Sequence, residues 1–267
     1  MNVDQASSVD LIDTHAHLDD PVFDRDREHV IAAAAAKGVG RIMNVGYRPS
    51  RWTTTRALAE RHAGIFPILG LHPHHADEYD DSVGERLLSA ITDSGAVAIG
   101  EIGLDYFRDG PDPPVQRRAF VAQLEIARRL KLPIVIHQRA AEAALIEVLS
   151  TFPDLPTLVL HSFDASTRLA TFASERGYFV GVGGLATKNS SSTLRSVLKD
   201  IPLTHVLLET DSPYLSPPRE KEHRNTPSNL PEIARRLASI WDTTGDDLAR
   251  ASTTAAETAF KIGSIRT

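Results

Sequence analysis

Apolar residues along this chain gather in short, β-rich runs separated by longer stretches with helical spacing. The runs occupy residues 11–18, 41–46, 65–72, 96–104, 133–137, 157–163, 178–183 and 205–211. Between them, residues 24–37, 114–131 and 191–199 read as helices. In the second of these, Phe120, Leu124, Ala127 and Leu130 recur on one helical face. The alanines at 32–36 sit inside the first, where alanine is the best helix former. Strands alternating with helices build parallel βαβ units. Nearly unbroken apolar runs such as Ile134-Val135-Ile136 are expected of strands covered on both faces. Eight such runs in 267 residues fit an α/β chain closed into one (β/α)8 TIM barrel, a single domain spanning 1–267. A doubly wound open sheet is the competing arrangement. Its phosphate-binding form would open on a glycine-rich turn, whereas the first strand here runs into His-Ala-His-Leu-Asp-Asp. Residues 212–229 are long and proline-rich and follow the last strand, which suggests an active-site loop rather than a domain boundary.

Composition narrows the picture. No run approaches the roughly 20 apolar residues of a membrane span, so no membrane association is expected. The first residues, Met-Asn-Val-Asp-Gln, lack the basic and apolar regions of a secretory signal. There are no cysteines, which removes disulfides and thiolate metal sites and suits a reducing, cytoplasmic setting. The net charge of −6 excludes a broad basic face for nucleic acid. A phosphate polymer would have to be neutralised locally, by metal ions or a few basic loop residues.

Barrel enzymes place their chemistry where the strands end. The first run ends in Asp13-Thr14-His15-Ala16-His17, the third at His72, the fifth at His137, the sixth at His161 and the eighth at Asp211, while the fourth carries Glu101. His15 and His17 stand two apart, so strand alternation points both into the barrel. Taken singly, each has a structural reading: a strand-end histidine can be a hydrogen-bonded core residue, and Asp211 before Ser-Pro can cap a turn. Glu101 lies between apolar neighbours that offer no partner, and a buried carboxylate is costly unless paired or metal-bound. Unrelated causes do not readily put His15, His17, Glu101, His137, His161 and Asp211 on one rim. Imidazoles and carboxylates without thiolate suit Zn, Mn, Mg, Fe or Co. A carboxylate able to bridge suggests two ions about 3.5–4 Å apart.

The motifs His15-x-His17, Gly-Leu-His72-Pro-His, Gly-Glu101-Ile-Gly-Leu-Asp-Tyr, Ile-Val-Ile-His137, His161-Ser-Phe and Leu-Leu-Glu-Thr-Asp211-Ser-Pro-Tyr resemble the TatD family of metal-dependent hydrolases, in the family's order, from about Leu11 to about Lys261. The resemblance implies an amidohydrolase-related TIM barrel and a 3′–5′ deoxyribonuclease using divalent metal: two ions, of Mg, Mn or Zn. It implies a first ion on His15, His17, Glu101 and Asp211, and a second on Glu101, His137 and His161. Glu101 would bridge, Asp211 would act as general base toward the attacking water, and His72 would contact substrate phosphate, whether catalytically or only to orient it. Arg224, in Arg224-Asn225-x-Pro227 after Arg219 and Lys221, matches the family's basic segment, which would either bind phosphate or be a solvated surface loop. Asp13 would orient a ligand histidine or support the barrel, and Asp105 and Glu209 match family positions without an assigned role.

The chain departs from the family at Ser162, where cysteine is common. It departs again at Thr253–Phe260, where the last helix usually carries an asparagine, and Thr187-Lys188-Asn189 matches only loosely. The expected partner is DNA, at a single strand or 3′ end, and the expected form is a monomer. An amidohydrolase or lactonase on the same ligand set, or an inactive metal-binding adaptor, are the alternatives. Related barrels often bridge with a modified lysine on the fourth strand, where this chain has Glu101.

Overall fold

The computed structural model describes residues 10–164, 166–218 and 224–263. Strands β1 (Leu11–Ala16), β2 (Val39–Gly46), β3 (Ile65–Leu69), β4 (Ala98–Asp105), β5 (Ile134–Arg139), β6 (Leu158–Leu160), β7 (Phe179–Val182) and β8 (Val206–Leu208) form one sheet in chain order. Every neighbouring pair is parallel. The sheet closes on itself: β8 returns to β1 through Asp211 N–H donating to the His15 carbonyl at 2.9 Å and His17 N–H to the Ser212 carbonyl at 2.8 Å. This is the (β/α)8 TIM barrel that the alternation of patterns predicts.

Helices α1 (Arg27–Ala35), α2 (Pro49–Arg61), α3 (Asp81–Ser94), α4 (Pro113–Leu130), α5 (Glu142–Ser150), α6 (Thr167–Glu175), α7 (Ser192–Leu198), α8 (Leu230–Leu237) and α9 (Gly245–Phe260) accompany the strands. The first helix is shorter than its periodicity suggests. Asp20 caps a separate 3-10 turn, Pro21–Phe23, by accepting from Val22 N–H at 2.9 Å, and the chain leaves α1 through Gly38 at φ +83°.

A large apolar cluster joins strands to helices, including Leu69, Ile102, Phe120, Leu124 and Leu145. A second is drawn mostly from the strands: Ile12, Met43, Val45, Ile68, Ala98, Val135, Val159, Phe179 and Leu207, together with Ala255, Ala256, Ala259 and Phe260 of α9. Burial on both faces accounts for the unbroken apolar runs in the sequence. Several strands end sooner than expected. His72, His161 and Asp211 lie beyond β3, β6 and β8, where the chain leaves the ladder to aim polar groups inward. Ser162 and Asp211 take φ of +45° and +56° there, a left-handed conformation that non-glycine residues adopt only when their surroundings impose it.

Candidate metal centre

The site continues the packing of the strands. Val135, Val159 and Phe179 are register partners on β5, β6 and β7, and with Leu207 they belong to one apolar cluster. A strand repeats its facing every two residues. Two positions further along therefore stand His137, His161, Gly181 and Glu209. The same rule carries Ile68 through Gly70 to His72. Gly181 has no side chain because Glu209 occupies that space: a Cβ there would lie 2.1 Å from Glu209 Oε2.

The six expected ligands meet. His15 Nε2 lies 3.3 Å from His17 Nε2, 3.5 Å from Glu101 Oε2 and 3.9 Å from Asp211 Oδ1, and His17 Nε2 is 3.5 Å from the same Asp211 oxygen. The other oxygen of Glu101, Oε1, accepts from His137 Nδ1 at 2.7 Å and faces His72 Nε2 at 3.6 Å and His161 Nε2 at 3.8 Å. His161 Nε2 is also 3.8 Å from Asp211 Oδ1, and its ring stacks on that of His15 with centroids 3.4 Å apart. His15, His17, Glu101 and His161 are buried, while His72, His137 and Asp211 are partly open to a cavity of about 480 Å³.

The second nitrogen of each of three histidines is held from behind. His17 Nδ1–H donates to the Val45 carbonyl at 3.1 Å. His137 Nε2–H donates to Asp105 Oδ2 at 2.9 Å. His161 Nδ1 lies 3.0 Å from Glu209 Oε1, bent out of hydrogen-bond alignment, so that contact works mainly as charge pairing. Such acceptors hold one proton on the rear nitrogen, so that the opposite nitrogen is the one to give up its proton to a cation. His72 is held the other way. Its Nδ1 accepts from His74 N–H at 3.1 Å, so the neutral ring carries its proton on Nε2 and presents a donor to the cavity.

These donors fit divalent metal. Ligands about 2.0–2.2 Å from one ion stand roughly 3–3.5 Å apart, close to the spacings of His15, His17 and Asp211. Three groups of converging donors result: His15, His17 and Asp211; His15, Glu101 and His161; and His72, Glu101 and His137. Glu101 belongs to two of them. The resemblance pairs His137 with His161 around one ion, whereas in this structure they join different groups, each through Glu101.

Charge states follow from the same contacts. Burial opposes ionisation of Glu101, but the rings of His72 and His161 and the hydrogen bond from His137 outweigh it, holding its carboxyl well below the ordinary range. Asp211 is lowered too, against burial, by His17 and His161. Burial alone would depress His17, His137 and His161. Asp211 instead raises His17 to about 9, Asp105 with Glu101 raises His137 to about 9, and Glu209 with Glu101 raises His161 to about 10. Burial wins at His15 and, more strongly, at His72. Protons on three rings thus hold together a cluster of carboxylates that a metal would otherwise neutralise.

The sequence matches the family described as TatD related DNase over residues 12–261. The chain belongs to the TatD family. A curated TatD relative, the 3′-5′ ssDNA/RNA exonuclease TatD of Cronobacter sakazakii, is 36% identical over 234 residues, covering 85% of this chain and 89% of its own. The metal-dependent hydrolase YjjV of Escherichia coli K12 is 34% identical over 255 residues, 94% of this chain and 98% of its own. The crystal structure of that TatD homologue superposes with a TM-score of 0.89, covering 95% of this chain and 98% of the other. The protein is accordingly a metal-dependent hydrolase of the TatD family.

Other TatD motif residues fall where sequence alone did not assign them. Asp105 Oδ2 accepts from both His137 Nε2 and His74 Nε2, the latter at 3.0 Å, while its Oδ1 accepts from Phe107 N–H at 3.0 Å and Arg108 N–H at 3.1 Å. Glu209 stands behind His161 and accepts from Ser162 N–H at 2.7 Å, so the serine that replaces the common cysteine contributes only its backbone. Asp13 fastens β8 to β1, accepting from Thr210 N–H at 2.9 Å and Thr210 Oγ1–H at 2.6 Å. Arg224 does not line the cavity. It forms a two-pronged ion pair with Asp26 at 2.6 and 3.1 Å, donates to the Val22 carbonyl at 2.6 Å, and lies over the Phe23 ring. Arg219 and Lys221 lie outside the described residues. Inward alternation could have singled out Glu209, two before Asp211. Nothing in the sequence marks Asp105 as a shared acceptor.

Proposed function

We propose that this enzyme is a 3′–5′ exonuclease that hydrolyses phosphodiester bonds in single-stranded nucleic acid, DNA foremost, with two divalent cations drawn from Mg, Mn and Zn. The observation that carries the reading is Glu101: its oxygens face different donors, Oε2 toward His15 and Oε1 toward His137, on the floor of an open cavity. One carboxylate turned both ways suits a binuclear site. Bound cations would supply Lewis-acid polarisation of a phosphoryl oxygen and a water of lowered pKa. His15, His17, Glu101 and Asp211 would hold one, with Glu101, His137 and His161 holding the other. Asp211, ionised and partly open to the cavity, takes the proton of the attacking water as the new P–O bond forms and the P–O3′ bond breaks. His72, neutral with Nε2–H toward the cavity, donates to a phosphate oxygen. The exonuclease name of the Cronobacter relative supports the substrate class.

A monomeric, cytoplasmic, single-domain enzyme over 1–267 belongs to the same reading. It is supported by a cysteine-free sequence and one continuous sheet. Among the described residues, no helix is long and apolar enough to cross a membrane.

The test is a substrate panel with enzyme reconstituted in each metal: a 5′-labelled DNA strand, the same strand as RNA and as duplex, bis(p-nitrophenyl) phosphate and a set of lactones. A ladder shortening from the 3′ end supports the proposal. Turnover confined to lactones overturns it.

A further inference from the structure

Histidines apart, the cationic side chains lining the cavity are Arg108 and Arg139. Neither makes an ion pair among the described residues, in contrast with Arg224, whose guanidinium is taken by Asp26. Arg139, the last residue of β5, lies with its guanidinium carbon 4.0 Å from the centroid of the Phe107 ring. Phe107 is itself 65% exposed. A guanidinium lying on an aromatic face is immobilised, yet its N–H edge stays free for the bidentate contact that phosphate favours. Arg108 occupies the adjoining turn, whose amides are tied to Asp105 Oδ1, while Asp105 Oδ2 holds His137. One buried carboxylate thus fixes the metal-facing histidine and the arginine turn relative to each other.

We propose that Arg108 and Arg139 form a second phosphate subsite, which grips the phosphodiester next to the one being cleaved. Histidines apart, the remaining charged lining groups among the described residues, Glu101, Asp105, Asp164 and Asp211, are acidic, so this pair supplies fixed positive charge where the metals do not reach. The inference rests on the nuclease reading and explains how a chain of net charge −6 engages a phosphate polymer.

The experiment compares kcat/KM for thymidine dinucleotide TpT, which has a single phosphodiester, with trinucleotide TpTpT, which has a flanking one. Wild type should prefer TpTpT by about tenfold or more, the worth of a charge-assisted contact. Arg139→Gln and Arg108→Gln should each pull the ratio toward one, mainly through KM. Each should also lower the salt dependence of log KM by about 0.7, one phosphate contact on a single strand. Arg139→Lys, which keeps charge but cannot lie flat on Phe107, should fall between. Arg118→Gln, an exposed change on α4, removes equal charge and should keep the preference. A wild-type ratio near one, or a high ratio surviving both arginine variants, overturns the subsite. Failure to cleave either oligonucleotide overturns the nuclease reading instead. If circular dichroism shows Arg139→Gln misfolded, Arg108→Gln on its exposed turn decides.

Discussion

Replacing Asp105 with asparagine should weaken one metal position and spare the other. The reason is the directionality of hydrogen bonds. Asp105 Oδ1 accepts from two backbone amides, Phe107 N–H and Arg108 N–H, which cannot become acceptors. In the asparagine the carbonyl oxygen must stay there, which turns the NH2 toward His137 and His74, where Oδ2 now accepts at 2.9 and 3.0 Å. A donor then faces a donor. His137 can respond only by baring Nε2, which moves its proton to Nδ1, the nitrogen that points at Glu101. The nitrogen needed for metal becomes the protonated one. Loss of such an orienting partner typically costs 10–100-fold in metal affinity, about 1.4–2.7 kcal/mol. The group formed by His15, His17 and Asp211 meets these atoms only through the far oxygen of Glu101 and should change roughly threefold or less. Titration of metal-free enzyme with Mn2+, with free ion counted by electron paramagnetic resonance, separates the two positions. Equal weakening of both, or of neither, in a variant with normal circular dichroism would refute the tautomer argument.

The remaining predictions use other parts of the site. Metal binding should strengthen as pH rises from about 6 to about 9, because His17 and His137 at about 9 and His161 at about 10 must release protons first; calorimetry in buffers of different ionisation enthalpy should count that release, and a pH-independent affinity would contradict it. Burial raises Asp13 from 3.8 to about 7, so the native state holds this proton more tightly than the unfolded chain; its contribution is present below about 3.8 and is lost as pH climbs toward 7. Asp13→Asn, which keeps an acceptor for Thr210 N–H, should therefore gain in Tm relative to wild type as pH goes from 4 to 7, and a constant difference would exclude Asp13 as the source. Gly181→Ala puts a Cβ 2.1 Å from Glu209 Oε2 and 2.7 Å from its Cδ, which should push Glu209 off His161. Expected are about 1–3 kcal/mol of destabilisation in urea and weaker metal binding at His161; unchanged metal affinity would show that Glu209 does not orient that ring.

The barrel and the convergence of the six strand-end candidates were legible because both are periodic properties. Alternation of strand and helix gives the barrel, and an inward phase of two gives His137 and His161 once Val135 and Val159 are known to face in. What escaped depends on contacts without period. Arg224 looked available for phosphate because its capture by Asp26 links residues 198 apart in sequence. Nothing in the sequence singles out Arg108 and Arg139, since only the fold sets one on Phe107 and both beside the cavity. The ends of β3, β6 and β8 were read too long because His72, His161 and Asp211 follow an apolar run, while a 3-10 turn after His72 and left-handed backbone at Ser162 and Asp211 end the strands there.

The partners behind the ligands explain why so polar a cluster can sit on a hydrophobic interior. Each buried imidazole has two nitrogens to satisfy, and an unsatisfied one is costly. For His17 and His137 the fold answers with acceptors from neighbouring strands, Val45 of β2 and Asp105 of β4, while Glu209, just past β8, meets His161 as a charge partner. Each acceptor settles which nitrogen faces inward, so the donor set is preorganised before any cation arrives. His72 is the exception. Its inner partner is a donor, the N–H of His74, and the ring therefore shows a proton to the cavity where His17 and His137 can show a lone pair. Under the proposed function, a single backbone hydrogen bond behind the ring would assign the same residue type, on the same rim, to substrate or to metal.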